Sequence, residues 1–161
     1  MAVNLTEEQI AIRDTFARFT DEQIIPNAEA IDEAHEYPRE TVKQLAELGF
    51  VGMRYPEADG GSDVDLTTFC LCVEEIARGS MSVAGCISMQ SLMGTKFLQM
   101  LGNDDIKERL FQPAMAAEKI GAICMTEPNA GSDLGGLATS ATKTEGGWVL
   151  NGNKIWVTAA P

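Results

Sequence analysis

Near residue 120 the hydrophobic pattern of this chain changes period, and that change limits the folds open to it. Before it, apolar residues recur at three- and four-residue steps. After it they alternate, between turns rich in Gly and Asn. A helix cannot bury a two-residue period on one face, nor a strand a 3.6-residue one. The chain is therefore expected to be α+β: residues 1–119 form an all-α helical bundle, and residues 120–161 form the first strands of a β-domain.

Within the helical part, Thr6 and Gln9 have capping-box spacing, and Glu7 and Glu8 suit a helix N-terminus electrostatically. Ile12, Phe16 and Phe19 follow on one face. Pro26 predicts a break or kink, with helix resuming through Glu33. Pro38 and Gly49 bracket a second helix, with Val42, Leu45 and Leu48 on one face. Residues 52–65 read as a loop with turn chemistry at Asp59-Gly60-Gly61 and solvated acidic side chains. A third helix is predicted from about Asp65 to Arg78. A fourth, apolar all round, runs from Ser82 to just before Gly102 and belongs in the middle of a bundle. Asn103, Asp104 and Asp105 cap and charge a short fifth helix that ends near Pro113. Beyond it, Ile120–Thr126, residues 137–144, Trp148–Leu150 and Lys154–Thr158 read as strands, with turns at Glu145-Gly146-Gly147 and Asn151-Gly152-Asn153. This meander reaches Pro161 with open edges, so the β-domain is expected to be incomplete.

Charge removes several function classes. Acidic residues outnumber basic ones by 24 to 12, for a net charge of −12, and no basic run is present. Such a chain repels nucleic acid and anionic membranes, so neither is an expected partner. A phosphorylated ligand must then be held locally, by backbone donors or a few placed cations. No apolar run approaches the roughly 20 residues of a membrane span. The acidic N-terminus lacks the apolar core of a secretory signal, so a cytoplasmic protein is expected. Cys70, Cys72, Cys86 and Cys124 form no C-x-x-C pair, and with His35 as the single histidine no zinc set is available. All four lie in apolar stretches and are expected as buried free thiols in a reducing compartment.

One segment carries chemistry. Pro128, Ala130 and Gly131 force a tight turn after Met125 and Thr126, leaving backbone N–H groups free to point at an anion. Thr126 and Thr158 end neighbouring strands and aim hydroxyls at a heterocycle edge, while Trp156 offers a flat apolar face. Each also has an ordinary structural reading, since Trp packs in cores and Thr favours strands.

The stretch Met125–Asp133 resembles the first signature of the acyl-CoA dehydrogenase family, T-E-P-x-A-G-S-D. Asn151–Thr158 is similar to that family's N-G-x-K-x-W-I-T. Leu48-Gly49-Phe50, Pro56-Glu57 and Gly60-Gly61 are similar to its L-G-F…P-E-x-x-G-G. The three stand in the family's order and cover essentially the whole chain. The resemblance implies FAD as cofactor and a barrel-like middle β-domain. Thr126 and Thr158 would hydrogen-bond the isoalloxazine ring and Trp156 would pack against it. Ile123, Cys124, Met125, Gly131, Ser132 and Val157 would line the FAD, with Ser132 also bordering the acyl-CoA path. Counted back from T-E-P without a gap, Gly85, Cys86 and Met89 fall where the family lines its acyl pocket, although Met and Cys are also good helix-core filler. Two departures stand out. Ile123 occupies a position that is often aromatic in the family, and Ala159-Ala160-Pro161 replaces the usual N-G or N-A.

The implied reaction is α,β-dehydrogenation of an acyl-CoA thioester. A carboxylate takes the α-proton and the β-hydrogen leaves as hydride to flavin N5. In the family that carboxylate comes from a C-terminal helical domain, which is absent from these 161 residues, so no catalytic base is expected in this chain. Glu127, inside the tight turn, is expected to face backbone, and Glu74, Glu75 and Asp133 have no better claim. The 161 residues alone are expected to bind flavin poorly and to be inactive. Partners implied are acyl-CoA, an electron-transfer flavoprotein or similar acceptor, and further copies of the chain as a tetramer or dimer. Two alternatives stay open: a related flavin acyl-CoA oxidase, and a non-catalytic helical module that binds acyl-CoA or a partner.

Overall fold

The computed structural model describes residues 4–160; Met1–Val3, at the head of the acidic N-terminus, and Pro161 lie outside the described residues. The chain divides into two compact units, one running to Gly121 and the other spanning Ala122–Ala160.

The first unit is helical. In α1 (Glu7–Phe19) the capping box is complete: Gln9 N donates to Thr6 Oγ1 at 3.1 Å and Thr6 N to Gln9 Oε1 at 3.0 Å. Pro26 bends the path without ending it. The helix loosens into a π turn over Thr20–Ile24, tightens into a 3-10 turn over Ile25–Asn27, and resumes as α2 (Ala28–Ala34). A proline lacks the N–H that a regular ladder needs, and a change of pitch absorbs the loss. In α3 (Arg39–Glu47) Val42 and Leu45 are buried, but Leu48 is 41% exposed. The expected face stops short of Leu48 because the helix ends at Glu47 and Gly49, at φ 87°, turns the chain.

Then come α4 (Leu66–Gly79) and α5 (Met81–Met89), a second π turn over Gln90–Gly94, and α6 (Lys96–Leu101). Next are α7 (Asp104–Ile106), a third π turn over Lys107–Phe111, and α8 (Gln112–Met115). Asp65 caps α4 through Thr67 N and Thr68 N and also accepts from Gln9 Nε2 of α1 at 3.2 Å. Hydrogen bonds from Thr68 and then Gln9 hold its carboxyl down at about 2. The core is built around Phe50, which packs edge-on against Phe16 at 5.6 Å and tilted against Phe69 at 5.2 Å between ring centroids. Cys72, Ile76, Val83 and Ile87 close around it.

Three expectations change here. Residues 52–65 are more than a solvated loop: Gly52, Met53 and Tyr55 are buried, and Asp59 accepts from Gln99 Nε2 at 2.7 Å and pairs with Lys107 at 3.4 Å. Gln99 is the main cause of the lowered carboxyl pKa of Asp59. The apolar fourth helix buries only one face among the described residues. Val83, Ala84 and Ile87 are inside, while Met81, Phe97, Met100 and Leu101 are exposed. Of the cysteines, Cys72 is buried, its thiol pushed up to about 12 by desolvation, and Cys86 is half-buried. Cys70 and Cys124 are exposed. Cys70 stands two residues from Cys72, roughly 200° round the helix, so the two cannot share a face.

The second unit contains one hairpin. Strands β1 (Ser140–Thr144) and β2 (Gly147–Asn151) pair antiparallel, Ser140 opposite Asn151 and Thr144 opposite Gly147, around a turn in which Gly146 has φ 86°. The strands expected at Ile120–Thr126 and Lys154–Thr158 are absent. One backbone hydrogen bond, Ile155 N to Thr126 O at 2.9 Å, joins these stretches among the described residues, and one bond does not make a ladder. Trp156 and Ala159 are left-handed at φ 56° and 64°, and Ala160 N donates to Val157 O, so the second stretch ends in a turn. No helix is long and apolar enough to cross a membrane among the described residues.

Candidate functional site

The turn after Thr126 is tight, as its Pro and Gly content requires. Glu127 and Ala130 exchange two backbone hydrogen bonds, 2.8 and 3.2 Å, with Pro128 and Asn129 at the tip. The Glu127 side chain folds inward and is only 7% exposed. Its carboxylate accepts from Ala138 N at 2.7 Å, Thr139 N at 3.0 Å and Lys154 Nζ at 2.8 Å. These donors, Lys154 first, hold the group down at about 2. Asp133 Oδ1 accepts from Gly135 N at 3.1 Å and starts the short 3-10 turn Leu134–Gly136. A single carboxylate therefore closes the loop from 127 to 139.

The same contact brings the two motif segments together. Lys154 Nζ also donates to Met125 O at 3.1 Å, beside the Ile155–Thr126 backbone bond. Residues 125–127 and 154–155 thus lie side by side. Around this junction the backbone N–H groups of Thr126, Gly131, Ser132 and Val157 meet no protein acceptor among the described residues. Thr126 is half-buried; Gly131, Ser132 and Thr158 are exposed, and Trp156 is 87% exposed. Contrary to expectation, Thr126 and Thr158 do not end neighbouring strands; one precedes the Glu127 turn and the other sits in the turn at Val157–Ala160. Ile123 and Val157 are half-buried, whereas Cys124 and Met125 are exposed. A concavity of about 300 Å³ in this unit is lined by Glu127, Asn129, Thr139, Asn151 and Gly152 among others, and includes none of the candidate flavin residues.

On α5, Gly85 is exposed while Cys86 and Met89 are half-buried. Gly85 and Met89, four residues apart, share a face. A Cβ built on Gly85 meets nothing within 4 Å. Cys86, its thiol pushed up by burial, lines a pocket of about 190 Å³ with Tyr37, Ser80 and Ser82, which Gly85 and Met89 do not line. Of the carboxylates weighed as a base, Glu75 is paired with Arg78 at 2.9 Å and Glu127 with Lys154. Among the described residues no group of three His, Cys, Asp or Glu could hold a metal ion. The Glu127–Lys154 pair escaped the sequence reading because its partners lie 27 positions apart and no local pattern links them.

Known proteins align with this arrangement over the whole chain. The model of the acyl-CoA dehydrogenase N-terminal domain matches residues 6–139, and that of the acyl-CoA dehydrogenase middle domain matches residues 122–161. Benzylmalonyl-CoA dehydrogenase from Aromatoleum aromaticum is 64% identical over 161 residues, 100% of this chain and 43% of that protein. A 3-(aryl)acrylate reductase from Clostridium sporogenes is 40% identical over 158 residues, 97% of this chain and 41% of that protein. Butyryl-CoA dehydrogenase from Megasphaera elsdenii superposes with a TM-score of 0.85 at 32% identity, over 98% of this chain and 42% of that one. The chain spans about two fifths of the length of each.

Proposed function

The chain belongs to the acyl-CoA dehydrogenase family, and from that premise we propose that it serves an FAD-dependent α,β-dehydrogenation of an acyl-CoA thioester whose acyl group carries an aryl substituent. The observation that carries the reading is the junction of residues 125–132 with 154–158. Two neighbouring segments there present unpaired backbone donors and an exposed indole, with no free cation, since Lys154 is committed to Glu127 and Met125 O. That chemistry fits a flavin. The isoalloxazine edge is rich in acceptors, a diphosphate can be held by backbone N–H groups, and the flat ring can lie on Trp156.

Bound flavin supplies the two-electron acceptor, and the protein binds, aligns and shields it. Glu127 is unsuited to remove the α-proton: held at about 2 and surrounded by three donors, it is a weak base turned towards backbone. The base in this reading is a carboxylate outside these 161 residues. The electrons pass to an electron-transfer flavoprotein or a similar acceptor. Full-length protein should be yellow, and anaerobic addition of an arylpropionyl-CoA should bleach its flavin absorbance. A folded, colourless full-length protein would end this reading.

The aryl preference draws on the two relatives with aryl substrates in their names and on the open space at Gly85. Gly85→Leu should raise KM for an arylpropionyl-CoA about tenfold while changing that for butyryl-CoA less. Folding should not suffer, because replacing a helical Gly in open space gains about 0.5–1 kcal/mol. Steady-state kinetics with both thioesters measure this; equal shifts would remove Gly85 from the acyl site.

A further inference from the structure

Gln90 is 1% exposed, at the end of a nearly all-apolar helix and the start of the π turn Gln90–Gly94. Both ends of its amide are in use. Nε2 donates to Ala114 O at 2.7 Å and Lys119 O at 2.9 Å, and Oε1 accepts from Gly121 N at 2.8 Å. One side chain thus satisfies three backbone groups, one in α8 and two in the irregular stretch that follows it. Four residues on, the π turn brings Gly94 against Gly121 backbone to backbone: a Cβ on Gly94 would stand 2.9 Å from Gly121 O. Thr95 anchors the same turn, donating to Gln90 O at 2.9 Å. π turns interrupt helices where a side chain must be re-aimed, and here the re-aimed group is an amide.

Any buried Gln must find partners, so satisfaction alone would make it ordinary core. Its partners are the informative part. They end at Gly121, two positions before Ile123, the first candidate flavin contact. We propose that Gln90 is a positioning residue for flavin binding: with the Gly94–Gly121 contact it fixes the backbone over 114–121, the stretch that leads along the chain into Ile123–Ser132. This rests on the flavin reading above.

The test uses full-length protein with Gln90→Leu, which roughly keeps the volume and loses every hydrogen bond, and Gln90→Asn, which keeps the amide on a stem one methylene shorter. In flavin-free Gln90→Leu, hydrogen exchange at the Gly121 amide should rise about tenfold or more, and the Kd for FAD should rise by a similar factor. Gln90→Asn should keep part of the Gly121 protection and part of the FAD affinity, and it reports alone if the Leu variant does not fold. If the wild type binds FAD and neither variant changes Kd by more than about twofold, Gln90 is core only and the inference fails, whatever happens to the melting temperature. A wild type with no affinity for FAD sinks the flavin reading and this inference with it.

Discussion

Glu127→Gln should loosen the loop from 127 to 139 and weaken flavin binding by full-length protein on the order of tenfold. The wild-type carboxylate accepts from two backbone N–H groups and an ammonium, so all the neighbours it meets are donors. A glutamine offers one acceptor and one NH2, and any orientation sets that NH2 against a donor. The loop it closes contains Gly131 and Ser132, whose free N–H groups are the proposed anion cradle. The pH dependence has a definite sign. The Glu127 pKa falls from an ordinary 4.5 to about 2 on folding, so its contribution is fully present above about 4.5 and disappears as pH falls through about 2. Wild type should therefore outlast Glu127→Gln in thermal melts at neutral pH, and the gap should close in acid. Lys154→Met should overlap with Glu127→Gln when the two are combined, because they remove the same contact. Additive losses in FAD titrations of the two single variants and the double would show that the pair does not act as a unit.

Sequence showed most where the determining interaction is short-range. The cap of α1 spans four residues, and both of its hydrogen bonds form. The turn at 127–130 follows from Pro128 and the small residues after it, and β1–β2 from a Gly-Gly turn between alternating runs. The strands at Ile120–Thr126 and Lys154–Thr158 failed for a physical reason. Alternation predicts an extended path, but a strand also needs a partner, and the left-handed Trp156 takes the second segment out of line. Pairing across long separations stayed invisible. Asp59 looked solvated from its acidic neighbours, yet Gln99 and Lys107 reach it from 40 and 48 positions away. Gln90 and Gly121 are 31 positions apart. The two short motifs were legible as local backbone, because each carried its own turn chemistry. What the motifs could not convey is the lock between them, one lysine donating to Met125 O and Glu127 together.

Gly61→Ala should be the most destabilising single-methyl change in the helical unit, on the order of 3 kcal/mol. Gly60 and Gly61 are adjacent but are glycines for different reasons. Gly60 has φ 85°, and a Cβ there would meet only Gln112 Oε1, at 3.7 Å, so its constraint is conformational. At Gly61 the constraint is space: a Cβ would stand 2.6 Å from Gly52 O and 2.5 Å from the Tyr55 carbonyl carbon, with the Tyr55 oxygen nearer still. Those atoms are backbone and cannot rotate away. They are also pinned, because Gly61 N donates to Pro56 O, Ser62 N to Gly52 O and Asp63 N to Tyr55 O. Tyr55 itself is held by its ring, edge-on to Phe111 at 5.3 Å, and by its hydroxyl, 2.8 Å from Ser91 O. To admit the methyl, either the loop opens or Tyr55 leaves the core. Gly49→Ala is the matched comparison: at φ 87° with nothing within 4 Å, it carries only the left-handed penalty of about 1–2 kcal/mol. In thermal melts Gly61→Ala should fall roughly 6–12 °C below wild type, and Gly49→Ala by roughly one to two thirds of that. Equal shifts would mean that the 52–61 loop yields to a methyl group, and that its close backbone packing does not hold Tyr55 in place.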